Sequence, residues 1–131
     1  MSTELTVLAW GCVLALAHIF IAVRFKTRQY GTQWNMGARD EALPPPEPIV
    51  GRLARAQANF FETFPIAATA ILIVELAERG NDLTAIGAIT WLAARIVYLP
   101  LYAAGIPKVR TLAFLVSVVG ILVILWPALA G

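Results

Sequence analysis

Four polar residues with the types and spacing of a binding surface interrupt an apolar stretch in the middle of the chain: Arg52, Arg55, Asn59 and Glu62. Their separations of three, four and three residues place all four on one face of an α-helix, because successive residues turn by about 100°. Guanidinium groups bind carboxylates and phosphates through paired hydrogen bonds. The spacing therefore predicts a helix with one polar stripe that faces a partner or a ligand.

A second polar stripe repeats this spacing further along the chain, at Trp91, Arg95, Tyr98 and Tyr102. An ionisable side chain that faces lipid costs roughly 3 kcal/mol even on a lenient scale of membrane insertion. Each stripe therefore needs a protein partner, and we expect the two stripes to face each other.

The composition identifies the kind of element that carries these stripes. The 131 residues are 60% hydrophobic and 14% charged, whereas a globular domain is about 45–50% apolar and about 25% charged. This composition excludes a soluble domain and a disordered chain, and the single cysteine excludes a disulfide scaffold. Ten Lys and Arg against eight Asp and Glu form no continuous basic stripe, so we expect no nucleic-acid partner.

Four apolar stretches predict an all-α integral membrane protein, a single domain over residues 1–131 built as an up-down bundle of four transmembrane helices. The predicted helices cover about 4–24, 50–78, 83–104 and 110–129. A short polar turn at 78–82 makes the second and third helices an antiparallel hairpin, with Asp82 as the expected cap of the third. The polar loop at about 25–49 contains Pro44, Pro45, Pro46 and Pro48, which make it stiff and extended. This loop either lies across the mouth of a site or is an inert connector.

The basic residues predict the orientation in the membrane. The first and third loop regions contain Arg24, Lys26, Arg28, Arg39, Arg52, Lys108 and Arg110, whereas the other side has only Arg79. By the positive-inside rule, loops one and three are cytoplasmic and both termini lie outside.

Depth along the helices predicts which polar residues meet. Glu62 lies ten residues after Arg52, which is about 15 Å along a helix. Arg95 lies ten residues before Gly105 on the returning helix, so its depth is similar. We expect a buried ion pair between Glu62 and Arg95 at the floor of a cavity that opens to the cytoplasm. The other expected pairs are Asn59 with Tyr98 and Arg55 with Tyr102.

The cations near this site outnumber the one deep carboxylate. From the residues alone, three interpretations remain open: a soluble anionic ligand, the phosphates of membrane lipids, and an ion-pair network that only fixes helix packing. Cys12 and His18 fall far short of a metal site or a nucleophile constellation, and we predict no metal. We expect Cys12 to be a small buried residue and His18 to be packed or interfacial.

Residues 55–65, RAQANFFETFP, and residues 94–102, ARIVYLPLY, resemble the signature of the MAPEG family, the membrane-associated proteins in eicosanoid and glutathione metabolism. The pattern R-A-Q-x-N-x-x-E-x-x-P followed by A-R-x-x-Y-x-x-x-Y is specific at this spacing. The resemblance extends over about residues 50–129, and residues 105–114, GIPKVRTLAF, are similar to the bacterial inner-membrane members.

This resemblance implies a homotrimer that holds glutathione between neighbouring protomers. The residues that it assigns to glutathione binding are Arg24 or Arg28 on the first helix together with Arg52, Arg55, Asn59, Glu62, Arg95, Tyr98 and Tyr102. Arg110 matches the catalytic arginine that stabilises the glutathione thiolate in related synthases. A cation beside the sulfur lowers the pKa of the thiol and so raises the fraction of glutathione that is present as the reactive thiolate. Two positions depart from those synthases. Thr63 stands where they carry a tyrosine, and Arg110 follows Tyr102 by eight residues, one more than in the synthases.

The resemblance implies an enzyme that transfers glutathione to a hydrophobic small molecule arriving from the bilayer, or that reduces a lipid hydroperoxide with glutathione. The alternative is a noncatalytic membrane protein that binds lipid in the same cleft, as the lipoxygenase-activating members do. A small four-helix exporter is disfavoured, because the first helix has no acidic residue after Glu4.

Overall fold

A computed structural model of the protein covers residues 1–131 and contains only helices. There are five of them: α1 (Thr3–Tyr30), α2 (Thr32–Met36), α3 (Pro48–Leu76), α4 (Asp82–Ala103) and α5 (Pro107–Leu129). All except the short α2 are long and apolar enough to cross a membrane. The predicted bundle of four membrane-spanning helices is confirmed.

The first helix is longer than predicted. The side chain of Ser2 accepts a hydrogen bond from the Leu5 amide at its start, and the helix ends only at Gly31, where φ is +99°. The predicted end near Arg24 is therefore wrong. The 28 residues of α1 extend about 42 Å, whereas the hydrocarbon core is about 30 Å thick. The difference in length leaves room for the charged side chains of the last turns of α1 to lie outside the hydrocarbon core.

The connection between α3 and α4 is a tight polar turn, as predicted, but its cap is a different residue. The side chain of Asn81 accepts a hydrogen bond from the Thr84 amide at 2.9 Å, and the Thr84 hydroxyl accepts one from the Asn81 amide at 2.8 Å. These reciprocal bonds form a capping box. Asp82, the predicted cap, is instead the first residue of α4, where its charge favours the helix dipole.

The segment between α2 and α3 is tied to the end of α1. The Tyr30 hydroxyl donates to the Pro44 carbonyl at 2.8 Å, and the Gln29 side chain bonds to the Pro45 carbonyl and the Glu47 amide. Residues 37–47 are exposed. The proline-rich segment is therefore held against the last turn of α1. The short helix α2 forms part of the segment that was predicted to be a loop.

Helices α3 and α4 form the centre of the bundle, with α1 packed against both of them and α5 packed on their other side. The core around Phe60 contains stacked aromatic rings: Phe64 lies 5.0 Å from Phe60 between ring centroids, and Trp91 lies 5.8 Å from Phe64. His18 of α1 stacks on Phe60 at 4.7 Å. Phe60, Trp91 and His18 are almost completely buried, so this aromatic cluster fixes α1 against the central pair.

Helices α4 and α5 approach each other closely at Gly87 and Gly120. A Cβ atom added at Gly120 would lie 2.8 Å from the Gly87 carbonyl oxygen and 2.8 Å from the Trp91 amide nitrogen. Both neighbours are backbone atoms, which cannot move aside as the end of a flexible side chain can. Small residues permit such backbone contact between membrane helices, and here they position α5 against the helix that carries Arg95.

The outer surface is apolar. Large aliphatic and aromatic side chains such as Leu16, Phe20, Ile86 and Leu122 are more than half exposed. Cys12 also lies on this exposed surface of α1, so the expectation that it is buried is wrong. An apolar exterior of this kind is stable only in contact with lipid or with other apolar protein surface, which agrees with an integral membrane protein.

The up-down order of the helices collects most of the basic residues at one end of the bundle, where α1 and α4 end and α3 and α5 begin. We call it the basic end. The opposite end is acidic. There, the buried carboxylate of Glu4 accepts a hydrogen bond from the Thr84 hydroxyl at 2.6 Å and links the start of α1 to the start of α4.

Candidate functional site

A cavity of about 260 Å³ near the basic end brings together residues of both polar stripes and the start of α5. The residues that line it are Arg55, Ala58, Asn59, Glu62, Tyr98, Tyr102 and Arg110. Six of these seven were expected to bind or activate a ligand. Helix α3 supplies four of the lining residues because its polar stripe lies beside α4 and α5.

Tyr102 is the contact point of two arginines from different helices. Arg55 Nε donates to the Tyr102 hydroxyl at 3.2 Å, which confirms the predicted pairing of these residues by depth. The Arg110 guanidinium lies 4.5 Å from the centroid of the Tyr102 ring, within the range of a cation–π interaction. Arg110 therefore reaches the cavity despite its extra residue of spacing from Tyr102, and two positive charges flank one phenol.

The predicted ion pair between Glu62 and Arg95 is wrong. Arg95 is completely buried, and its Nη1 donates to Oδ1 of Asn59 at 2.7 Å. Glu62 lies about one turn after Asn59 on α3, and its side chain is exposed at the rim of the cavity. The two residues share a similar depth, but Glu62 points away from the core face of α3 that Arg95 contacts. The Glu62 carboxylate is consequently not engaged by Arg95.

Arg95 is held mainly by aromatic rings. Its guanidinium lies 4.2 Å from the centroid of Tyr98 and 5.3 Å from that of Phe60. Its Nε and Nη2 atoms are buried and have no hydrogen-bond partner. Arg95 does not line the cavity. It contacts two residues that do, Asn59 and Tyr98.

Two other polar side chains of α3, those of Arg52 and Thr63, donate hydrogen bonds to backbone carbonyl groups. Arg52 Nη1 donates to the Ala103 carbonyl at 3.3 Å, which satisfies one of the free carbonyls at the end of α4. Arg52 is absent from the cavity wall. The Thr63 hydroxyl bonds to the carbonyls of Asn59 and Phe60 on its own helix. Neither side chain presents a free polar group to the cavity within one chain.

Arg24 and Arg28 lie apart from this cavity. They are exposed on one face of α1 and line a separate groove of about 660 Å³ together with Thr27, Thr32 and Asn35 of the α1–α2 region. The Arg28 guanidinium lies 4.8 Å from the Phe25 ring. Within a single chain, these two arginines line a different groove from Arg55 and Arg110.

No residue of the proline-rich segment 37–47 lines the cavity. Of the two interpretations of this loop, the structure of the single chain favours a connector over a cover for the site. The cavity is left open at the exposed side of α3, where Arg55, Ala58 and Glu62 are accessible.

His18 is a residue of this region that the sequence did not connect with the site. It was expected to be packed or interfacial, and it is 1% exposed beneath Phe60. One feature of the sequence could have indicated its burial. His18 belongs to a series with helical spacing that forms the buried face of α1: Glu4, Val7, Gly11, Ala15 and His18. That face contacts α3 and α4, so His18 lies against the helices that form the site.

The arrangement is suited to a small polar ligand with both signs of charge. Two guanidinium groups can hold carboxylates, an exposed carboxylate can hold an ammonium group, and amide and phenol groups can bind peptide units. No group of three or more His, Cys, Asp or Glu side chains could hold a metal ion.

Comparison with known proteins agrees with the resemblance found in residues 55–65 and 94–102. The model of the MAPEG family matches residues 7–130, which include the whole cavity, α3, α4, α5 and all but the first turn of α1. No curated protein and no solved structure matches the chain. A match over nearly the full length is sufficient to assign the family. The chain belongs to the MAPEG family.

Proposed function

We propose that the protein binds glutathione in the cavity between α3, α4 and α5. The observation that carries this proposal is the convergence of Arg55 and Arg110 on Tyr102, beside a carboxylate, Glu62, that Arg95 does not engage. Glutathione has two carboxylates, one ammonium group, two peptide units and a thiol. The charges around the cavity match this set in sign, and family membership supports the assignment.

The roles of the lining residues follow from their chemistry. Arg55 binds a carboxylate of the tripeptide, and Glu62 binds its ammonium group. Asn59 and the hydroxyl of Tyr102 bind peptide groups. Arg95 supports this surface from the protein interior, and Tyr98, which is also almost completely buried, forms part of the cavity wall.

Arg110 is the proposed catalytic residue. Its guanidinium stabilises the glutathione thiolate and so increases the fraction of the reactive form at neutral pH. In the transferase reaction, the thiolate sulfur forms a bond to carbon of a hydrophobic electrophile. In a displacement, the leaving group departs with the electron pair of the broken bond and the thiol proton passes to solvent; in an addition, the accepting atom takes the electron pair and a proton. In the peroxidase reaction, two glutathione molecules reduce a lipid hydroperoxide to an alcohol and water and become the disulfide.

A second copy of the chain completes the proposed site. Arg24 and Arg28 are exposed on α1 and line a different groove from Arg55 and Arg110, and we infer that they reach a shared ligand across a subunit boundary. The cavity is open at the exposed side of α3. We therefore propose a homotrimer in which α1 of one protomer closes the cavity of the next. Small residues such as Ala54 and Ala58 on the exposed face of α3 permit close helix approach.

Lipid binding without catalysis is the second candidate. An apolar groove of about 480 Å³ runs between α4 and α5 and is lined by residues that include Ile89, Val97, Leu101 and Val116. It could accept an acyl chain from the bilayer. The same groove suits a hydrophobic electrophile, so its existence favours a membrane-derived partner under either function.

The proposed location is a bacterial-type inner membrane, with loops one and three in the cytoplasm and both termini outside. The basic end supports this orientation, because cytoplasmic loops are enriched in Lys and Arg. The cavity then lies near the end of the bundle that faces the compartment containing glutathione.

Equilibrium titration of the detergent-purified protein with glutathione tests the proposal. Saturable binding that weakens at least about tenfold in Arg55→Leu is expected, since a charge-assisted hydrogen bond contributes about 1.5–3 kcal/mol. Arg79→Leu is the matched control, because it removes an exposed arginine at the opposite end of the bundle. Absence of saturable glutathione binding, together with saturable binding of a fatty acid, would support the lipid-binding candidate instead.

A further inference from the structure

Five polar nitrogen atoms without partners surround the Phe60 ring in the core. They belong to His18 (Nδ1 and Nε2), Trp91 (Nε1) and Arg95 (Nε and Nη2), and all are buried. Buried polar groups in native proteins are hydrogen-bonded to protein or to ordered water in about 90% of cases or more. These groups lie at the junction of α1, α3 and α4, and none of them has a partner on the chain.

His18 and Arg95 are the two members of this cluster that lie closest to one ring. The His18 ring centroid and the Arg95 guanidinium carbon both lie within 5.3 Å of the Phe60 ring centroid. They are not bonded to each other, since the His18 nitrogens and the Arg95 Nε and Nη2 all lack partners. A neutral imidazole offers one acceptor nitrogen and one N–H donor. Water is able to join this acceptor to the guanidinium donors.

The Arg95 guanidinium has one polar attachment on its other side. Nη1 donates to Oδ1 of Asn59, and Asn59 lines the cavity. Because Oδ1 is directed at Arg95, the Nδ2 donor of the same amide points in a different direction. The direction in which Asn59 presents this donor therefore depends on how firmly the Arg95 guanidinium is held.

We propose that His18 is a positioning residue of the site: through buried water it holds the Arg95 guanidinium in the orientation that fixes the Asn59 amide. This connection extends from α1, through the core, to the cavity wall. Its effect on ligand affinity rests on the proposed binding of glutathione, whereas the link between His18 and Arg95 does not.

Two substitutions separate the polar contribution of His18 from its packing. His18→Phe keeps an aromatic ring that can stack on Phe60 but removes both nitrogens. His18→Gln removes the ring and keeps a donor and an acceptor. A residue that acts through hydrogen bonds is rescued by Gln and not by Phe, and a residue that acts only by packing shows the reverse order.

The experiment uses the full-length protein in detergent with ¹⁵N-labelled arginine, and the Nε–H signal of Arg95 is assigned from its loss in Arg95→Lys. We expect a cross-peak between this proton and water, and slow exchange with solvent, in the wild type and in His18→Gln. We expect both properties to be lost in His18→Phe. Glutathione affinity should fall about three- to tenfold in His18→Phe and be largely restored in His18→Gln.

An Arg95 signal that is unchanged in His18→Phe would overturn the inference, and so would a His18→Gln variant that behaves no better than His18→Phe. If the Arg95 signal responds as expected while the wild type fails to bind glutathione, the positioning link stands and the proposed function fails. The two claims are therefore tested separately.

Discussion

Arg95 Nη1 donates a hydrogen bond to Oδ1 of Asn59 over 2.7 Å, and this bond joins the fully buried core to the wall of the cavity. It takes the place of the ion pair with Glu62 that the depth of the residues had predicted. Two consequences follow. Arg95 acts on the site through Asn59, and the Glu62 carboxylate stays accessible at the rim of the cavity.

Replacement of Arg95 by methionine should weaken glutathione binding with no loss of stability. Without its partner, the Asn59 amide is free to rotate, and we expect affinity to fall about tenfold. The melting temperature in detergent should be unchanged or higher, because a completely buried guanidinium carries a desolvation cost that the apolar methionine side chain avoids. Titration and thermal unfolding measure the two effects. Unchanged affinity in Arg95→Met would contradict the positioning of Asn59 by Arg95.

Replacement of Glu62 by glutamine should discriminate between glutathione and its analogue without the amino group. We expect Glu62→Gln to weaken glutathione binding about tenfold, because a charge-assisted bond to the ammonium group becomes a neutral one. Binding of deamino-glutathione should change by less than about twofold, since this ligand offers Glu62 no charge. Equal losses for both ligands would place the ammonium group elsewhere in the cavity.

An alanine at position 120 should destabilise the bundle. Its Cβ would meet two backbone atoms at 2.8 Å, so α4 and α5 must separate. Overpacking of this kind costs about 1–3 kcal/mol. Gly80→Ala is the control, because its nearest neighbours would lie at ordinary contact distances of 3.8 Å and 4.0 Å. A melting temperature for Gly120→Ala that equals that of Gly80→Ala would show that the helix approach is looser than described.

The sequence was sufficient for the fold and for the membership of most of the cavity. Long apolar stretches defined the membrane helices, and the three-four-three spacing placed Arg55, Asn59 and Glu62 near Tyr98 and Tyr102. Arg55 meets Tyr102 as depth predicted, because both are near helix ends where few alternatives exist. These results depend only on helix periodicity and rise.

Rotation about the helix axis and the choice among several acceptors could not be derived in this way. Glu62 and Arg95 match in depth, but Asn59 is closer to the core face of α3 and accepts the bond that was assigned to Glu62. The same kind of local competition gave the cap of α4 to Asn81 and not to Asp82. The contact of Gly87 with Gly120 could not be predicted from the sequence either. Small residues occur along all the helices, and only the packing of α4 against α5 selects the pair that meets.

The most direct test of the central claim is the ultraviolet absorbance of glutathione thiolate during titration of the purified protein. The account predicts a saturable thiolate signal at neutral pH in the wild type and in Lys108→Leu, whose lysine is exposed and outside the cavity. It predicts loss of most of that signal in Arg110→Leu, because this arginine supplies the charge beside sulfur. A wild type that binds glutathione without a thiolate signal, or an Arg110→Leu variant with an undiminished one, would contradict it.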